Sequence, residues 1–253
     1  MDICDYFRVK TVNKQVSEYN LLSQKYAPKQ LSEFLDNYSQ IKKFEDWIKN
    51  RQKKCFIITG EVGSGKSSLA LLMCKHFNLN HLFLDASCKR SKKEMSSLHE
   101  KIRHINNKLI ILDEMESIVS SSETFGLSTL SKWIDPKNDQ SKVSFIIIIQ
   151  KIFLNKLSDI ISLADVIHLN YPSSRSIFSK CLSIIDDEHI DIELDELKTY
   201  IANYNGDIRS ILNNLREFKI ISKIDKNIDI YEAFNRIKTS DDVSSSLNYF
   251  NCI

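Results

Sequence analysis

Between residues 55 and 169, short apolar runs alternate with amphipathic stretches. Each run has the length and near-continuous apolar character of a strand buried on both faces of a sheet. The runs are CFIIT (55–59), LFLDA (82–86), KLIIL (108–112), SFIIII (144–149) and VIHL (166–169). Intervening stretches such as SSLALLMCKHF (67–77) carry apolar residues at helical spacing. The alternation predicts an α/β fold in which helices sandwich a parallel five-stranded sheet.

The pattern changes after NYPSS (170–174), where the strand-like runs stop and helical patterns follow. These patterns lie near 173–187, 193–204, 207–220 and 230–239. A small helical domain behind the sheet is therefore expected, with a boundary near Tyr171–Ser173. The predicted division is an N-terminal segment (1–19), an α/β domain (20–171), a helical lid (172–220) and a C-terminal helical tail (221–253).

Three of the five glycines stand in GEVGSGKSS (60–68), between a predicted strand and a predicted helix. The stretch fits GxxxxGK[ST], a loop that wraps phosphates with backbone N–H groups and that side chains would obstruct. In this motif Lys66 would reach the β- and γ-phosphates and Ser67 would hold Mg²⁺. A chance glycine turn is the alternative. The predicted nucleotide-binding residues here are Gly60, Glu61, Val62, Gly63, Ser64, Gly65, Lys66, Ser67 and Ser68.

Two acids follow the apolar strand in LIILDEME (109–116). Asp113, at the end of the strand, could orient Mg²⁺ and its waters. Glu114 could polarise an attacking water as a general base, which favours hydrolysis over nucleotide binding alone. The alternative is a pair of solvated acids in a loop.

Two further polar residues are candidates for the same site. Gln150 ends the SFIIII strand and could sense the γ-phosphate or position water, or simply face solvent. In NGDIRSILNNL (205–215), Asp207 is expected to cap a helix. Arg209 would lie on its first turn and could reach back to the phosphates. Taken alone, Arg209 would be an ordinary surface arginine.

Composition narrows the class of protein. A hydrophobic share of 42% with 27% charged residues is typical of a soluble globular protein. A net charge of +2 does not indicate nucleic-acid binding by itself, so any DNA contact must come from local basic clusters. The six cysteines lack metal-ligand spacing, which favours free thiols. No apolar run reaches the roughly 18 residues of a membrane span, and no signal peptide is visible, so we expect an intracellular protein.

From residue 20 to residue 220, these motifs and their order resemble an AAA+ clamp loader, specifically the large subunit of replication factor C. QKYAPKQLSEFLDN (24–37) resembles the family's adenine-pocket box, with Asp36 where glycine is usual. DASCKRSKK (85–93) resembles a large-subunit box, N-A-S-D-x-R-S-K, and DEMESI with FGL resembles D-E-V-D-G-M with G-G. GDIRSILNNL (206–215) matches the sensor 2 box, G-D-x-R…L-N-x-L.

The resemblance implies an AAA+ P-loop NTPase fold with a helical lid, and ATP with Mg²⁺ as cofactors. Tyr26 and Pro28 would then contact the adenine. The implied partners are small clamp-loader subunits, a sliding clamp and primer–template DNA, with ATP hydrolysis weak in the lone chain and activated in the complex. The compartment would be the nucleus in a eukaryote, or the cytoplasm in a prokaryote or large DNA virus.

By the same resemblance, a basic cluster would contact the phosphate backbone of DNA without reading its sequence. Its residues are Lys89, Arg90, Lys92 and Lys93. A solvated basic loop is the alternative.

Three departures from the family pattern stand out. Ser162-Leu163-Ala164 lies where small clamp-loader subunits carry a Ser-Arg-Cys arginine finger, which large subunits also lack. Gln150 replaces the usual asparagine. About 35 residues follow the sensor 2 helix, too few for the family's helical collar, so we expect the collar to be absent. Two other functions stay open: an ATP-binding structural subunit with little turnover, and another AAA+ replication protein such as an initiator or helicase loader.

Overall fold

The computed structural model describes residues 21–85, 109–120, 125–137 and 143–215. The predicted terminal segments 1–19 and 221–253, the end of the predicted lid (216–220) and the helix predicted near 230–239 lie outside these residues.

A five-stranded parallel sheet forms the centre of the molecule, as the apolar runs predicted. The strands are β1 (Cys55–Gly60), β2 (His81–Leu84), β3 (Leu109–Leu112), β4 (Ser144–Gln150) and β5 (Ala164–Leu169), in the spatial order β2-β3-β4-β1-β5. Strand β1 therefore lies between β4 and β5. Because all the strands are parallel, the carboxyl ends of β1, β3 and β4 meet at one edge of the sheet.

Helices cover both faces of the sheet, and three more helices follow its last strand among the described residues. They are α1 (Leu22–Lys25), α2 (Tyr38–Asn50), α3 (Lys66–His76), α4 (Glu116–Ser120), α5 (Phe125–Ile134), α6 (Ser158–Ile161), α7 (Ser174–Glu188), α8 (Leu194–Asn203) and α9 (Ile208–Asn214). Short 3₁₀ segments span Leu31–Glu33 and Lys151–Leu157. Among the described residues, no helix combines the length and the apolar character needed to cross a membrane.

Alternate residues of β1 face two separate cores. Cys55 and Ile57 pack with residues of α4, α5 and α6 on one face, while Phe56 and Ile58 pack with α2 and α3 on the other. On the second face the rings of Phe44 and Phe56 stack with centroids 4.4 Å apart. Both faces of β1 are thus covered, which explains why its sequence is almost wholly apolar.

A third core joins the helices that follow β5. Ile177, Leu197 and Ile211 are fully buried in it, and Leu22 of α1 is buried with them. The segment before α2 therefore packs against the helical part of the chain, although about 150 residues separate the two in sequence. The domain boundary near Tyr171–Ser173 stays a prediction.

Candidate nucleotide-binding site

The glycine-rich loop joins β1 to α3 at the carboxyl edge of the sheet. Gly63 and Gly65 have φ angles of 78° and 90°, in the left-handed region that glycine adopts most readily. Space is also short at Gly63, where an added Cβ would lie 1.9 Å from Oδ1 of Asp207. The loop therefore needs glycine both for its backbone conformation and for contact with the start of α9.

Lys66, the first residue of α3, turns its side chain back into the loop. Its Nζ donates hydrogen bonds to the carbonyl oxygens of Gly60 at 3.0 Å and Glu61 at 2.6 Å. Burial lowers the pKa of Lys66, and the negative charges of Glu116 and Asp113 oppose that shift. The ammonium thus lies beside the N-terminus of α3, where backbone N–H groups and the helix dipole favour an anion.

A pocket of about 290 Å³ opens at this point, and we call it the P-loop pocket. It is lined by Val62, Gly63, Gly65, Lys66, Ser67, Asp113, Glu114, Glu116, Ser117, Ile148, Gln150 and Arg209. The ends of β3 and β4, the glycine loop, and the starts of α4 and α9 thus contribute to one cavity. A triphosphate fits the chemistry of this lining, which combines a cation, helix N–H groups and magnesium-type oxygen donors.

The acids after β3 differ in burial. Asp113 is only 8% exposed, and its Oδ1 accepts the backbone N–H of Glu114 at 2.9 Å. Glu114 is exposed and has a φ of 53°, an unusual backbone conformation for a residue other than glycine. Ser67 and Asp113 line the same pocket and present a hydroxyl and a carboxylate, which are oxygen ligands of the kind that Mg²⁺ takes.

Gln150 ends β4 directly opposite Gly60 of β1. Its backbone N–H donates to Oε1 of Glu116 at 2.6 Å. Glu116 therefore joins the start of α4 to the end of β4 inside the P-loop pocket, a role the sequence reasoning did not assign. The signal available was its position, three residues after Asp113 in the acidic stretch.

A second pocket, of about 490 Å³, adjoins the first and shares Gly63, Gly65 and Arg209 with it. We call it the lid pocket. Besides these three it is lined by Leu21, Ser23, Gln24, Tyr26, Ala27, Pro28, Glu33, Phe34, Leu35, Ser64, Ser68, Pro172, Lys180, Ile208, Leu212 and Asn213. Its lining is largely apolar, with a few polar groups, which is typical of a site for a flat organic ring.

Contacts between distant segments hold the wall of the lid pocket. Tyr26 donates its hydroxyl hydrogen to Oε1 of Glu188 at 3.1 Å. The backbone N–H of Ser23 donates to Oδ1 of Asn213 at 3.2 Å. Phe34 packs against the glycine loop, since an added Cβ on Gly65 would lie 3.0 Å from Cζ of its ring. The short segment 21–37 thus contacts both the helices that follow β5 and the glycine loop.

Asp36 and Asn37 tie this segment to the chain between β5 and α7. Asn37 makes two hydrogen bonds of 3.0 Å with the backbone of Asn170. Asp36 accepts from the backbone N–H of Ser173 at 2.7 Å and from Oγ of Ser176 at 2.8 Å. Its φ of 54° accounts for the glycine usual at this position, and its carboxylate adds contacts that glycine lacks.

Tyr171 and Arg209 connect the helical part of the chain to the glycine loop. The Tyr171 hydroxyl donates to the carbonyl oxygen of Val62 at 2.9 Å, and its side chain packs on Gly206, where a Cβ would come within 2.8 Å. Asp207 caps α9 as predicted, accepting the backbone N–H of Ser210 at 3.1 Å. Arg209, exposed on α9, lines both pockets.

The structure brings together most of the residues that the sequence singled out. The P-loop pocket contains Lys66, Ser67, Asp113, Glu114, Gln150 and Arg209, with Val62, Gly63 and Gly65. The lid pocket contains Tyr26, Pro28, Ser64 and Ser68. Gly60 and Glu61 line neither pocket, but their carbonyl oxygens accept hydrogen bonds from Nζ of Lys66. The basic cluster Lys89, Arg90, Lys92 and Lys93 lies outside the described residues. The roles assigned to all these residues stay predictions.

The stretch Ser162-Leu163-Ala164, predicted to stand in place of the arginine finger, lies immediately before and at the start of β5. Ser162 caps the C-terminal end of α6 and is exposed, and Ala164 is the first residue of β5. Its position therefore agrees with the one inferred from sequence, while its role stays a prediction.

Comparison with known proteins supports the same fold. The model of the AAA family, ATPases associated with various cellular activities, matches residues 56–166. A solved structure of the Thermotoga maritima RuvB Holliday junction branch migration motor superposes with a TM-score of 0.61 over 84% of this chain and 72% of that one, at 14% identity. At this identity, the likeness concerns the fold.

Curated relatives point to replication factor C. Replication factor C subunit 1 of Oryza sativa subsp. japonica is 21% identical over 88% of this chain and 25% of its own length. The replication factor C large subunit of Thermofilum pendens is 24% identical over 79% of this chain and 50% of its own length. That of Methanosphaera stadtmanae is 28% identical over 76% of this chain and 37% of its own. The chain thus spans a quarter to a half of the length of these relatives.

The parallel sheet and the glycine loop agree with the match to the AAA family and with the similarity to replication factor C large subunits. The chain has an α/β P-loop NTPase fold, and it resembles AAA ATPases over residues 56–166 and the large subunits of replication factor C over most of its length.

Proposed function

We propose that the chain is an ATP-binding and ATP-hydrolysing subunit of a DNA sliding-clamp loader, in the large-subunit position. The observation that carries the proposal is the similarity to replication factor C large subunits over roughly 80% of the chain. The partners are then small clamp-loader subunits, a sliding clamp and primer–template DNA, inside the cell. ATP binding by the assembly closes it around the clamp and DNA, and hydrolysis releases the clamp.

In this proposal one ATP molecule occupies both pockets. The adenine lies in the lid pocket against Tyr26 and Pro28, and the phosphates lie in the P-loop pocket beside Lys66. Gly63, Gly65 and Arg209 line both cavities, which supports a single elongated ligand that spans them. Arg209 is then an arginine of the lid that contacts the phosphates.

Mg²⁺ would be held by Ser67 and Asp113 together with phosphate oxygens, and it would neutralise charge on the transferred phosphoryl group. Glu114 would act on the attacking water as a general base, because it follows β3 and lines the same cavity as Lys66 and Asp113. Gln150 would sense the γ-phosphate from the neighbouring strand. An arginine from an adjacent subunit would complete the site, and such residues raise hydrolysis rates by roughly 10³- to 10⁵-fold.

The test is native mass spectrometry of the tagged chain purified from its own source in the presence of ATPγS. Recovery with small ATPase subunits that carry Ser-Arg-Cys is the expected result. Recovery alone, or with unrelated proteins, would contradict the clamp-loader role and leave the ATPase assignment standing.

A structural subunit that binds ATP with little turnover is the other candidate, since Ser162-Leu163-Ala164 lacks the arginine finger. The purified assembly distinguishes the two through Glu114→Gln. If the chain hydrolyses ATP, this variant should bind ATP normally and lower the share of turnover that depends on this subunit. Unchanged turnover would favour the structural role.

We also propose that Lys89, Arg90, Lys92 and Lys93 contact DNA phosphates. Replacing all of them by alanine should weaken binding of the assembly to primer–template DNA and flatten its dependence on salt, with no change in sequence preference. An unchanged salt dependence would contradict this contact.

A further inference from the structure

Glu116, the first residue of α4, continues the contact between β3 and β4 beyond the point where their hydrogen-bond ladder ends. The pairing of β3 with β4 stops at Leu112 and Ile147, while β4 continues to Gln150. Past that point the backbone N–H of Met115 donates to the carbonyl of Ile148 at 3.2 Å. The next bond is the one from the Gln150 N–H to Glu116 at 2.6 Å. A side chain thus replaces the ladder where the strand reaches the pocket.

The position of Gln150 depends on both of its neighbours. On one side it pairs with Gly60, the first residue of the glycine loop. On the other side the Glu116 carboxylate accepts its N–H, and hydrogen bonds to an ionised acceptor are shorter and stronger than neutral ones. Losing this bond would free the last residue of β4 to shift relative to the loop.

The same carboxylate lies close to the P-loop lysine. Of the charged groups that influence the pKa of Lys66, Glu116 has the largest effect, ahead of Asp113, and it raises that pKa against the effect of burial. Glu116 also lines the P-loop pocket with Lys66 and Gln150. Its charge and its hydrogen bond therefore act on two different groups of one site.

We infer that Glu116 is a positioning residue for ATP hydrolysis, which holds Gln150 against the phosphate site through its hydrogen bond. This inference rests on the proposed ATPase site and adds to it a role for Glu116, which the resemblance only aligned with the second aspartate of D-E-V-D-G-M. In this role Glu116 acts on the reaction through Gln150.

Two substitutions separate the hydrogen bond from the charge. Glu116→Gln keeps an acceptor oxygen of the same reach but no charge, and Glu116→Ala removes both. Small displacements of a positioned group can cost up to about 100-fold in rate. In the share of single-turnover hydrolysis that depends on this subunit, we expect Glu116→Ala to lower the rate constant by roughly 10- to 100-fold with ATP affinity changed much less, and Glu116→Gln to restore most of the rate.

The measurement is single-turnover hydrolysis of radiolabelled ATP by the tagged complex, with ATPγS and ADP affinities measured beside it. A double-mutant cycle with Gln150→Ala adds a readout that a merely structural role would not move. If Glu116 acts through Gln150, then Glu116→Ala should have little further effect in the Gln150→Ala background. Glu196→Ala, an exposed acid on α8, is the matched control.

The inference is overturned if Glu116→Ala leaves kcat within about twofold of wild type, or if its effect simply adds to that of Gln150→Ala. Should Glu116→Ala fail to fold, Glu116→Asp replaces it, because aspartate keeps the charge but is one methylene too short. Aspartate is then expected to be slow and glutamine fast, and the reverse order overturns the inference. Failure of the proposed ATPase would look different, since Glu114→Gln would then leave the turnover of the complex unchanged.

Discussion

The P-loop pocket and the lid pocket adjoin each other but are built in different ways. The P-loop pocket takes most of its lining from the glycine loop and from the carboxyl ends of β3 and β4. The lid pocket takes its lining from segments near the two ends of the described chain, 21–35 and 172–213, with the glycine loop between them. The P-loop pocket thus depends on the sheet, and the lid pocket depends on the packing of residues 21–35 against the helices that follow β5.

The P-loop pocket therefore differs from the lid pocket in what it offers a nucleotide: charged groups in the first, and a shape set by tertiary packing in the second. The P-loop pocket contains Lys66, Asp113, Glu114 and Glu116, so its chemistry is electrostatic and its backbone is fixed by the strands. The lid pocket is largely apolar, and its shape depends on contacts such as Ser23 to Asn213 and Tyr26 to Glu188. Substitutions in the P-loop pocket should therefore change nucleotide affinity and turnover. Substitutions where the glycine loop contacts Tyr171 and Asp207, which we call the joint, should change the stability of the protein as well.

The largest effect is expected from Lys66→Ala. This substitution removes the cation beside the N-terminus of α3, and hydrogen bonds to charged groups contribute about 1.5–3 kcal/mol each. ATP affinity should fall by about 100-fold or more. Isothermal titration calorimetry with ATPγS measures this. Lys42→Ala, an exposed lysine of α2, is the control, and equal affinities for the two variants would contradict the P-loop assignment.

Gly63→Ala tests the joint between the two pockets. Alanine at a φ of 78° costs about 1–2 kcal/mol, and its Cβ would also meet the carboxylate of Asp207. We expect a loss of at least about 1–2 kcal/mol in the free energy of unfolding, measured with urea, together with weaker nucleotide binding.

A second substitution separates the clash from the backbone strain. Asp207→Gly removes the atoms that the new Cβ would meet, and glycine costs only a few tenths of a kcal/mol at a helix N-cap. The double variant should therefore be more stable than Gly63→Ala alone while keeping the backbone penalty. If it is no more stable, contact between the loop and α9 does not limit substitution at Gly63.

The same contrast decides what could be predicted from sequence. The strands and the glycine loop were predictable because each is a contiguous pattern whose apolar period or spacing fixes its structure. Glu116 was missed because its role depends on where the backbone of β4 ends, which no local pattern encodes. Most of the lid pocket was missed for a similar reason: Phe34, Pro172 and Lys180 meet only through tertiary packing. Tyr26 and Pro28 came from family resemblance.

Tyr171→Phe is expected to have a smaller effect on the same joint. It removes only the hydroxyl that donates to Val62, and a typical hydrogen bond contributes about 0.5–1.5 kcal/mol to stability. We expect a loss near the lower end of that range, because this contact is accessible to water. Urea denaturation measures it against Tyr38→Phe, since Tyr38 is 77% exposed. Equal stabilities for the two variants would show that the Tyr171 bond contributes nothing.

The smallest effect concerns the tie between Asp36 and α7, and it depends on pH. Hydrogen bonds from Ser173 and Ser176 hold the pKa of the Asp36 carboxyl below its ordinary value. A lowered pKa in the folded state stabilises the protein above the unfolded-state pKa, about 3.9 for aspartate, and this contribution is lost as the pH falls through the folded-state pKa. Asp36→Asn keeps an acceptor oxygen but does not titrate.

Wild type should therefore exceed Asp36→Asn in stability at about pH 6, by at most about 1 kcal/mol because the carboxylate is partly solvated, and the gap should narrow at about pH 3. Urea titrations at the two pH values measure it. Ser176→Ala removes one of the two donors and should lose part of the same pH-dependent gap. A gap equal at both pH values would mean that Asp36 stabilises the tie through its shape and left-handed backbone conformation, and that its charge contributes nothing to holding the N-terminal segment on the lid.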